Sequence, residues 1–245
     1  MNSSPYVYYD FANPAVLRLL GEGHSVLDVG CGTGALGEAA TLAGNRVTGV
    51  ELAESAVAIA SARMERVLRF DVTDVAGLRT ALGGQFERIV FADILEHLPD
   101  PLPVLAAYKD LLTPDGRVIV SLPNVAAWTV RLALAIGRFE YAESGIMDRT
   151  HLRFFTRASG GRLLEKAGYR VSRIDLTPHI TRAVWPLLKR FFRRDDGAAD
   201  SRAVLASGAY RTYQRCVEPV ETLLARLLPG LLACQFAFEG EVRRA

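Results

Sequence analysis

From residue 25 to residue 120 the chain alternates between two rhythms. Short apolar runs, which mark buried strands, are followed by stretches whose apolar residues recur every three to four positions, which mark amphipathic helices. "SVLDVG" predicts a first strand, "RVTGVEL" a second, "RVLRFDV" a third, "FERIVFAD" a fourth and "GRVIVSLPN" a fifth. Between them, "ALGEAATLAG" predicts a helix ended by Gly44 and "ESAVAIASARM" a helix with Glu54 or Ser55 near its cap. "LPVLAAYKDLL" predicts a helix stopped by the turn "TPDG".

Beyond Asn124 the alternation loosens. "VAAWTVRLALAIGRF" predicts an apolar helix interrupted by Arg131, and "EYAESGIMDRTHLRFFT" a polar loop with embedded aromatics. "RASGGRLLEKAGY" predicts a helix and "YRVSRIDL" a sixth strand. "RAVWPLLKRFFRR" reads as a basic amphipathic helix, "RRDDGAADSRA" as a loop and "EPVETLLARLL" as another helix. "LLACQFAFEGEV" is a candidate seventh strand, expected at the sheet edge. Strands alternating with helices make right-handed βαβ units. The expected fold class is therefore α/β: a Rossmann-like, doubly wound, mostly parallel seven-stranded sheet with helices on both faces and C-terminal helical additions. One domain over residues 1–245 is expected. It divides into a front segment (1–24), a ligand-binding core (25–124) and later elements that build the second substrate's site (125–245).

Composition narrows this only a little. Half of the 245 residues are hydrophobic, enough for a large core. The net charge of +2 is too near balance to argue for nucleic acid. Cys31, Cys216 and Cys234 lie too far apart for a metal-ligand spacing or a disulfide framework, so a reducing cytoplasm is expected. The N-terminus lacks the basic and apolar regions of a signal peptide. The best candidate for a membrane span, "LLARLLPGLLACQFAF", is short and carries Arg226 and Pro229.

The first strand runs into "DVGCGTGALG", which contains G-x-G-x-x-G at Gly32, Gly34 and Gly37. In open α/β sheets ligands sit beyond the carboxyl ends of the strands, so this loop is the place for one. Gly30, Gly32 and Gly34 allow a tight turn and close backbone approach. A dinucleotide would fit the glycines, and Glu51 at the end of the second strand could take ribose hydroxyls in either case. Asp28, two residues before the first glycine, would repel a pyrophosphate but suits a cationic amino-acid group. Asp71, after the third strand, suits an exocyclic amine.

Asp28-x-Gly-x-Gly-x-Gly, Glu51, Asp71, "DILEHL" after the fourth strand and "PDGRVIVSLPN" together resemble a class I S-adenosylmethionine (SAM) methyltransferase, over roughly residues 8–176. The resemblance implies that Gly30, Gly32 and Gly34 face the methionine part of SAM. It also implies that Glu51 binds the ribose, and Asp71 with Val72 the adenine. Leu52 and Phe91 are candidate apolar walls for the purine, and Tyr8 or Tyr9 a cover for the pocket. S-adenosylhomocysteine would be the product.

"FADILEHLPDP" leaves the fourth strand beside this pocket. If it turns helical, Asp93, Glu96 and His97 share one face, and His151 in "DRTHLRFFT" is a candidate to fold over the same mouth. Three roles are open. His97 or His151 could serve as a general base on an acceptor hydroxyl. Glu96, His97 and His151, with Asp93, could hold a divalent metal that lowers the acceptor's pKa. Or the three side chains only cap and position local structure. The acid-x-x-Glu-His pattern with a later His is similar to metal-dependent 2′-O-methyltransferases acting on small-RNA ends and to ubiquinone-type O-methyltransferases, although the first acid here is Asp rather than Glu.

The "DRTHLRFFTRASGGRLLEKAGY" stretch is similar to a bacterial subgroup associated with sugar, glycan and natural-product tailoring, and Arg149 and Arg153 are candidate contacts for an anionic substrate. The expected activity is methyl transfer to a hydroxyl of a small-molecule or glycan-type acceptor. N-methylation, a non-catalytic SAM-binding protein and a NAD-dependent oxidoreductase are the alternatives. No nucleic-acid partner is expected, a monomer or homodimer is, and residues 182–194 are a candidate for peripheral membrane contact.

Overall fold

The computed structural model describes residues 11–181 and 212–243. The expectations for Tyr8, Tyr9 and residues 182–194 lie outside the described residues. The five leading strands form where the apolar runs predict them: β1 (Ser25–Val29), β2 (Arg46–Glu51), β3 (Arg66–Arg69), β4 (Phe86–Ala92) and β5 (Leu112–Pro123). Helices α1 (Pro14–Leu20), α2 (Ala35–Leu42), α3 (Glu54–Ala60), α4 (Val75–Leu82), α5 (Pro101–Ala107), α6 (Trp128–Ala135) and α7 (Arg157–Lys166) flank or connect them. β6 (Tyr169–Pro178), α8 (Glu218–Leu227) and β7 (Ala233–Val242) complete the described fold. Among the described residues no helix is long and apolar enough to cross a membrane.

The seven strands lie in the order β3-β2-β1-β4-β5-β7-β6. The first five run parallel. β7 is antiparallel to both of its neighbours. It was expected at the edge and is instead an inner strand. Phe236, Ala237, Phe238 and Glu239 are all buried, so both of its faces are covered. A near-continuous apolar run, which "LLACQFAF" is, belongs to such a strand. The edge falls to β6, where exposed Arg170 and Arg173 discourage further strand pairing.

The period of two along the strands sorts the core into two layers. Val26, Val90, Ile119 and Ala237 face α1, α2 and α3 through Val16, Leu19, Leu20, Leu36, Ala40 and Ala60. Leu27, Val29, Ile89, Phe91, Val118, Val120, Phe236 and Phe238 face the other way, onto Leu78, Leu105, Leu164 and Ala225 of α4, α5, α7 and α8. Strand order reverses at β1, which pairs with β2 on one side and β4 on the other. That reversal opens a crevice beyond the carboxyl ends of β1 and β4.

Two local elements differ from their sequence reading. "TPDG" does not separate helix from strand. β5 already pairs at Leu112 with Phe86, and the turn is absorbed as an irregularity before Arg117 pairs with Arg88. "DILEHL" is not an α-helix. Only Leu95–His97 is helical, as a single 3-10 turn, because Leu98-Pro99 returns the chain to extended structure and Asp100 caps α5.

Phe238 is fully buried and its ring lies 6.2 Å from that of Phe236. Phe238→Ala is expected to cost about 3–5 kcal/mol of unfolding free energy, measurable by urea denaturation. A loss below about 1 kcal/mol would be incompatible with an inner β7.

Candidate functional site

Two turns meet at the crevice. The first lies at the end of β1. Gly30, Gly32 and Gly34 have φ values of 72°, 54° and 83°, all left-handed, a region that strains residues carrying a Cβ. The turn is pinned to the end of β2: Gly30 and Cys31 donate their N–H groups to the Val50 carbonyl at 2.8 and 3.0 Å. Gly32 donates to Glu51 Oε2 at 3.0 Å, while Glu51 Oε1 accepts from Leu52 and Ala53, both at 2.9 Å. Gly34 then starts α2.

Asp28 lies beneath this turn, 2% exposed, and its Oδ2 has no hydrogen-bond partner. It borders a small gap lined by Leu20, Val26, Leu36 and Val90. Burial first, and the Glu51 charge second, push the Asp28 carboxyl up to about 7. Asp71 is exposed. Its Oδ1 accepts from the Thr73 N–H at 2.8 Å and the Thr73 hydroxyl at 2.7 Å, which hold its pKa down. Val72 is buried and its carbonyl accepts from the Tyr108 hydroxyl at 3.0 Å. Leu52 is 59% exposed at the crevice side of β2. Phe91 requires a correction. It has no exposed surface, and its ring stands edge-on to Tyr108 at 4.9 Å, so it is a core residue beneath the pocket rather than a wall of it.

The second turn leaves the end of β4. Ile94 packs onto the first turn where Gly30 lacks a side chain: a Cβ on Gly30 would lie 2.2 Å from Ile94 Cδ1. Glu96 is 1% exposed, and neither carboxylate oxygen has a hydrogen-bond partner. Its main-chain carbonyl accepts from Leu152 at 2.9 Å and Arg153 at 3.1 Å, which docks the later loop over the turn. That docking brings His151 to the site. Its Nδ1 lies 3.2 Å from the Ile146 carbonyl, its Nε2 3.9 Å from Glu96 Oε1, and its ring 4.9 Å from that of His97. His97 Nδ1 lies 3.2 Å from the Thr150 carbonyl. A carbonyl only accepts, so each imidazole carries a proton on Nδ1, and Nε2 is the basic nitrogen when the ring is neutral.

Glu96, His97 and His151 each place one ligand-type atom within 4.8 Å of the others. Asp93 is not part of that group. Its Oδ1 accepts from the Ser121 hydroxyl at 2.7 Å and from Gln235 Nε2 at 2.8 Å. The helical face expected to align it with Glu96 and His97 does not form. Burial drives the Glu96 carboxyl well above the ordinary carboxylate range, helped by Asp93 and then Asp148. Burial, then His97, lowers His151. Two basic nitrogens and a buried, unpartnered carboxylate whose charge is disfavoured form a donor set that a divalent cation would satisfy. Arg149 and Arg153, expected to reach an anionic substrate, are engaged internally: Arg149 pairs with Glu143, and Arg153 Nε donates to the Pro99 carbonyl at 2.9 Å. Ser121 and Gln235 escaped the sequence reading because each is a lone polar residue in a strand, with no spacing to mark it.

The sequence matches the family described as methyltransferase domain over residues 7–174, more than half of the chain. It is similar to a ubiquinone biosynthesis O-methyltransferase of Chromobacterium violaceum, with 36% identity over 151 residues, 60% of this chain and 64% of the relative. Across such relatives the alignments span about half to two thirds of the relative's length. Among solved structures, a SAM-dependent methyltransferase from Archaeoglobus fulgidus has a TM-score of 0.54 at 17% identity, covering 88% of this chain and 85% of that one. A Burkholderia thailandensis 1,6-didemethyltoxoflavin-N1-methyltransferase has a TM-score of 0.53 at 19% identity, covering 94% and 77%. These two likenesses concern the fold.

The Asp28 carboxyl gives a pH test. With its folded pKa raised, the folded state holds a proton that the unfolded chain releases above about 4. Its contribution to stability is complete below about 4, declines as pH rises through the window up to about 7, and is constant above it. Asp28→Asn is expected to remove that decline, on the order of a few kcal/mol, in urea titrations run from about pH 4 to about pH 8. Parallel curves for the two proteins would contradict the buried, unpartnered state of Asp28.

Proposed function

Since this chain belongs to the methyltransferase-domain family, we propose that it is a SAM-dependent methyltransferase acting on a hydroxyl of a small molecule. The observation that carries this reading is the Glu96–His97–His151 group, set just beyond Ile94, which rests on the glycine turn. Cofactor loop and proton-handling group are thus adjacent. A hydroxyl acceptor must lose its proton to react, and this group is equipped for that loss.

The residues fit the cofactor. The left-handed turn at Gly30, Gly32 and Gly34 leaves the room for the methionine moiety, and Asp28 beneath it suits its ammonium group. Glu51 takes the ribose hydroxyls, sharing a carboxylate with about four acceptor positions between ligand and backbone. Leu52 offers apolar surface to the purine, and Asp71 with the Val72 backbone takes its polar edge. Tyr9, expected as a cover for the pocket, lies outside the described residues. When bound, SAM supplies a methyl group already activated by its sulfonium. The protein's task is then to align the acceptor, exclude water and remove a proton.

His151 is the base in this reading. Burial keeps its imidazole neutral, the Ile146 carbonyl fixes the Nδ1 proton, and Nε2 is left to receive the acceptor's proton. His97 and Glu96 orient the acceptor. In the alternative role, Glu96 and the Nε2 atoms of His97 and His151 would hold a divalent cation, and His151 would then not be the base. The cation would lower the hydroxyl's pKa and satisfy the Glu96 carboxylate. Asp93 is left outside that ligand set. The later elements, residues 125–245, form the acceptor side of a single domain. The relatives named for ubiquinone biosynthesis act by O-methylation, which favours oxygen over nitrogen here. A small-molecule or glycan-type acceptor, a monomeric or homodimeric state and a cytoplasmic location complete the reading, with residues 182–194 a candidate for peripheral membrane contact.

Calorimetry with S-adenosylhomocysteine should show binding that Asp28→Ala weakens at least about tenfold. Binding of NADH instead would overturn the reading. Methyl-labelled SAM incubated with a lysate of the source organism should label a small molecule, and the split between lipid-extractable and aqueous fractions reports its class. His151→Ala should lower that labelling by about 10²–10⁴-fold. Exhaustive chelation separates the two roles: full activity afterwards removes the cation from the scheme, and lost activity removes His151 as the base.

A further inference from the structure

Asp93 is the only non-glycine among the described residues with a positive φ, at 55°. Such a conformation persists only where neighbouring groups over-determine it. Here they do. The Asp93 N–H donates to Ser121 Oγ at 3.1 Å, and the Ser121 hydroxyl donates back to Asp93 Oδ1 at 2.7 Å. The same Oδ1 accepts from Gln235 Nε2 at 2.8 Å. Gln235 Oε1 in turn accepts from Asn13 Nδ2 at 3.0 Å, and Asn13 Oδ1 accepts from the Ala15 N–H at 2.9 Å and the Thr177 hydroxyl at 3.1 Å. One chain of hydrogen bonds therefore joins β5, β6, β7 and the start of α1 to a single strained residue.

The reactive groups lie immediately C-terminal to Asp93. Ile94 packs against Gly30, Leu95 is fully buried, and Glu96 and His97 come next. A change in the Asp93 backbone swings the whole turn, moving the cofactor loop's neighbour and the Glu96–His97 pair together. We propose that Gln235 is a positioning residue for the acceptor site. It acts through Asp93, fixing the left-handed conformation that aims Glu96 and His97. This rests on the methyl-transfer reading of the site. Asp93 here works as a hydrogen-bond acceptor held by the sheet. Because the Gln235–Asp93 bond is exposed, its loss costs global stability little, and its effect is local.

The test reverses the polarity of that bond. Gln235→Glu keeps an acceptor for Asn13 but sets a carboxylate against Asp93. Amide exchange over residues 93–98 should speed up about tenfold. Transfer of labelled methyl to the accepting lysate fraction should slow about tenfold, with acceptor KM changed less than about threefold and the melting temperature nearly unchanged. Gln235→Ala, which adds no charge, should move the same readouts in the same direction by less.

Adding Asp93→Asn to Gln235→Glu lets the new amide donate to the new carboxylate, and exchange and transfer should recover to within about threefold of wild type. Wild-type exchange in Gln235→Glu, or a double variant no better than Gln235→Glu alone, would overturn the proposal. S-adenosylhomocysteine binding by the wild-type chain is measured alongside. Its absence would sink the methyl-transfer reading, while the exchange comparison would still decide whether Gln235 holds the turn.

Discussion

The structure hangs on a glycine turn that the end of β2 holds in place. Gly30, Cys31 and Gly32 bend away from β1, the two glycines in left-handed conformation, and their N–H groups are received by the Val50 carbonyl and the Glu51 carboxylate. Because these acceptors sit on the neighbouring strand, the turn cannot form without the parallel pairing of β1 and β2. The pairing in turn places the turn at the reversal of strand order, where the crevice is. Ile94 closes the arrangement from the β4 side by occupying the space that a Gly30 side chain would need. The glycine turn and the turn after β4 are consequently one packed unit.

Around that unit the protein buries two carboxyl groups without satisfying them. Asp28 and Glu96 are nearly inaccessible, and both have oxygens lacking partners. Unpaired buried polar atoms are uncommon because each forfeits its hydration. Both lie at the crevice, one under each turn. The polar relay from Asn13 through Gln235 to Asp93 is the contrast, since its donors and acceptors are matched within the chain.

The fold class, the parallel half of the sheet and the location of the glycine turn are legible along the chain alone. These depend on periodicity, glycine placement and chain order, which are local properties. Glu96, His97 and His151 also come forward there as a group, because the spacing of the first two and the family pattern of the third are visible in one dimension. Tertiary structure decided what depends on partners distant in sequence. β7 became an inner strand because its two faces found cover from opposite layers. Phe91 went to the core because Tyr108 closes over it. Asp93 left the Glu96–His97 group because a 3-10 turn replaces the expected helix and because Ser121 and Gln235, 28 and 142 residues away, claim its carboxylate. No spacing rule reaches across such separations; only the packed sheet brings those donors to one oxygen.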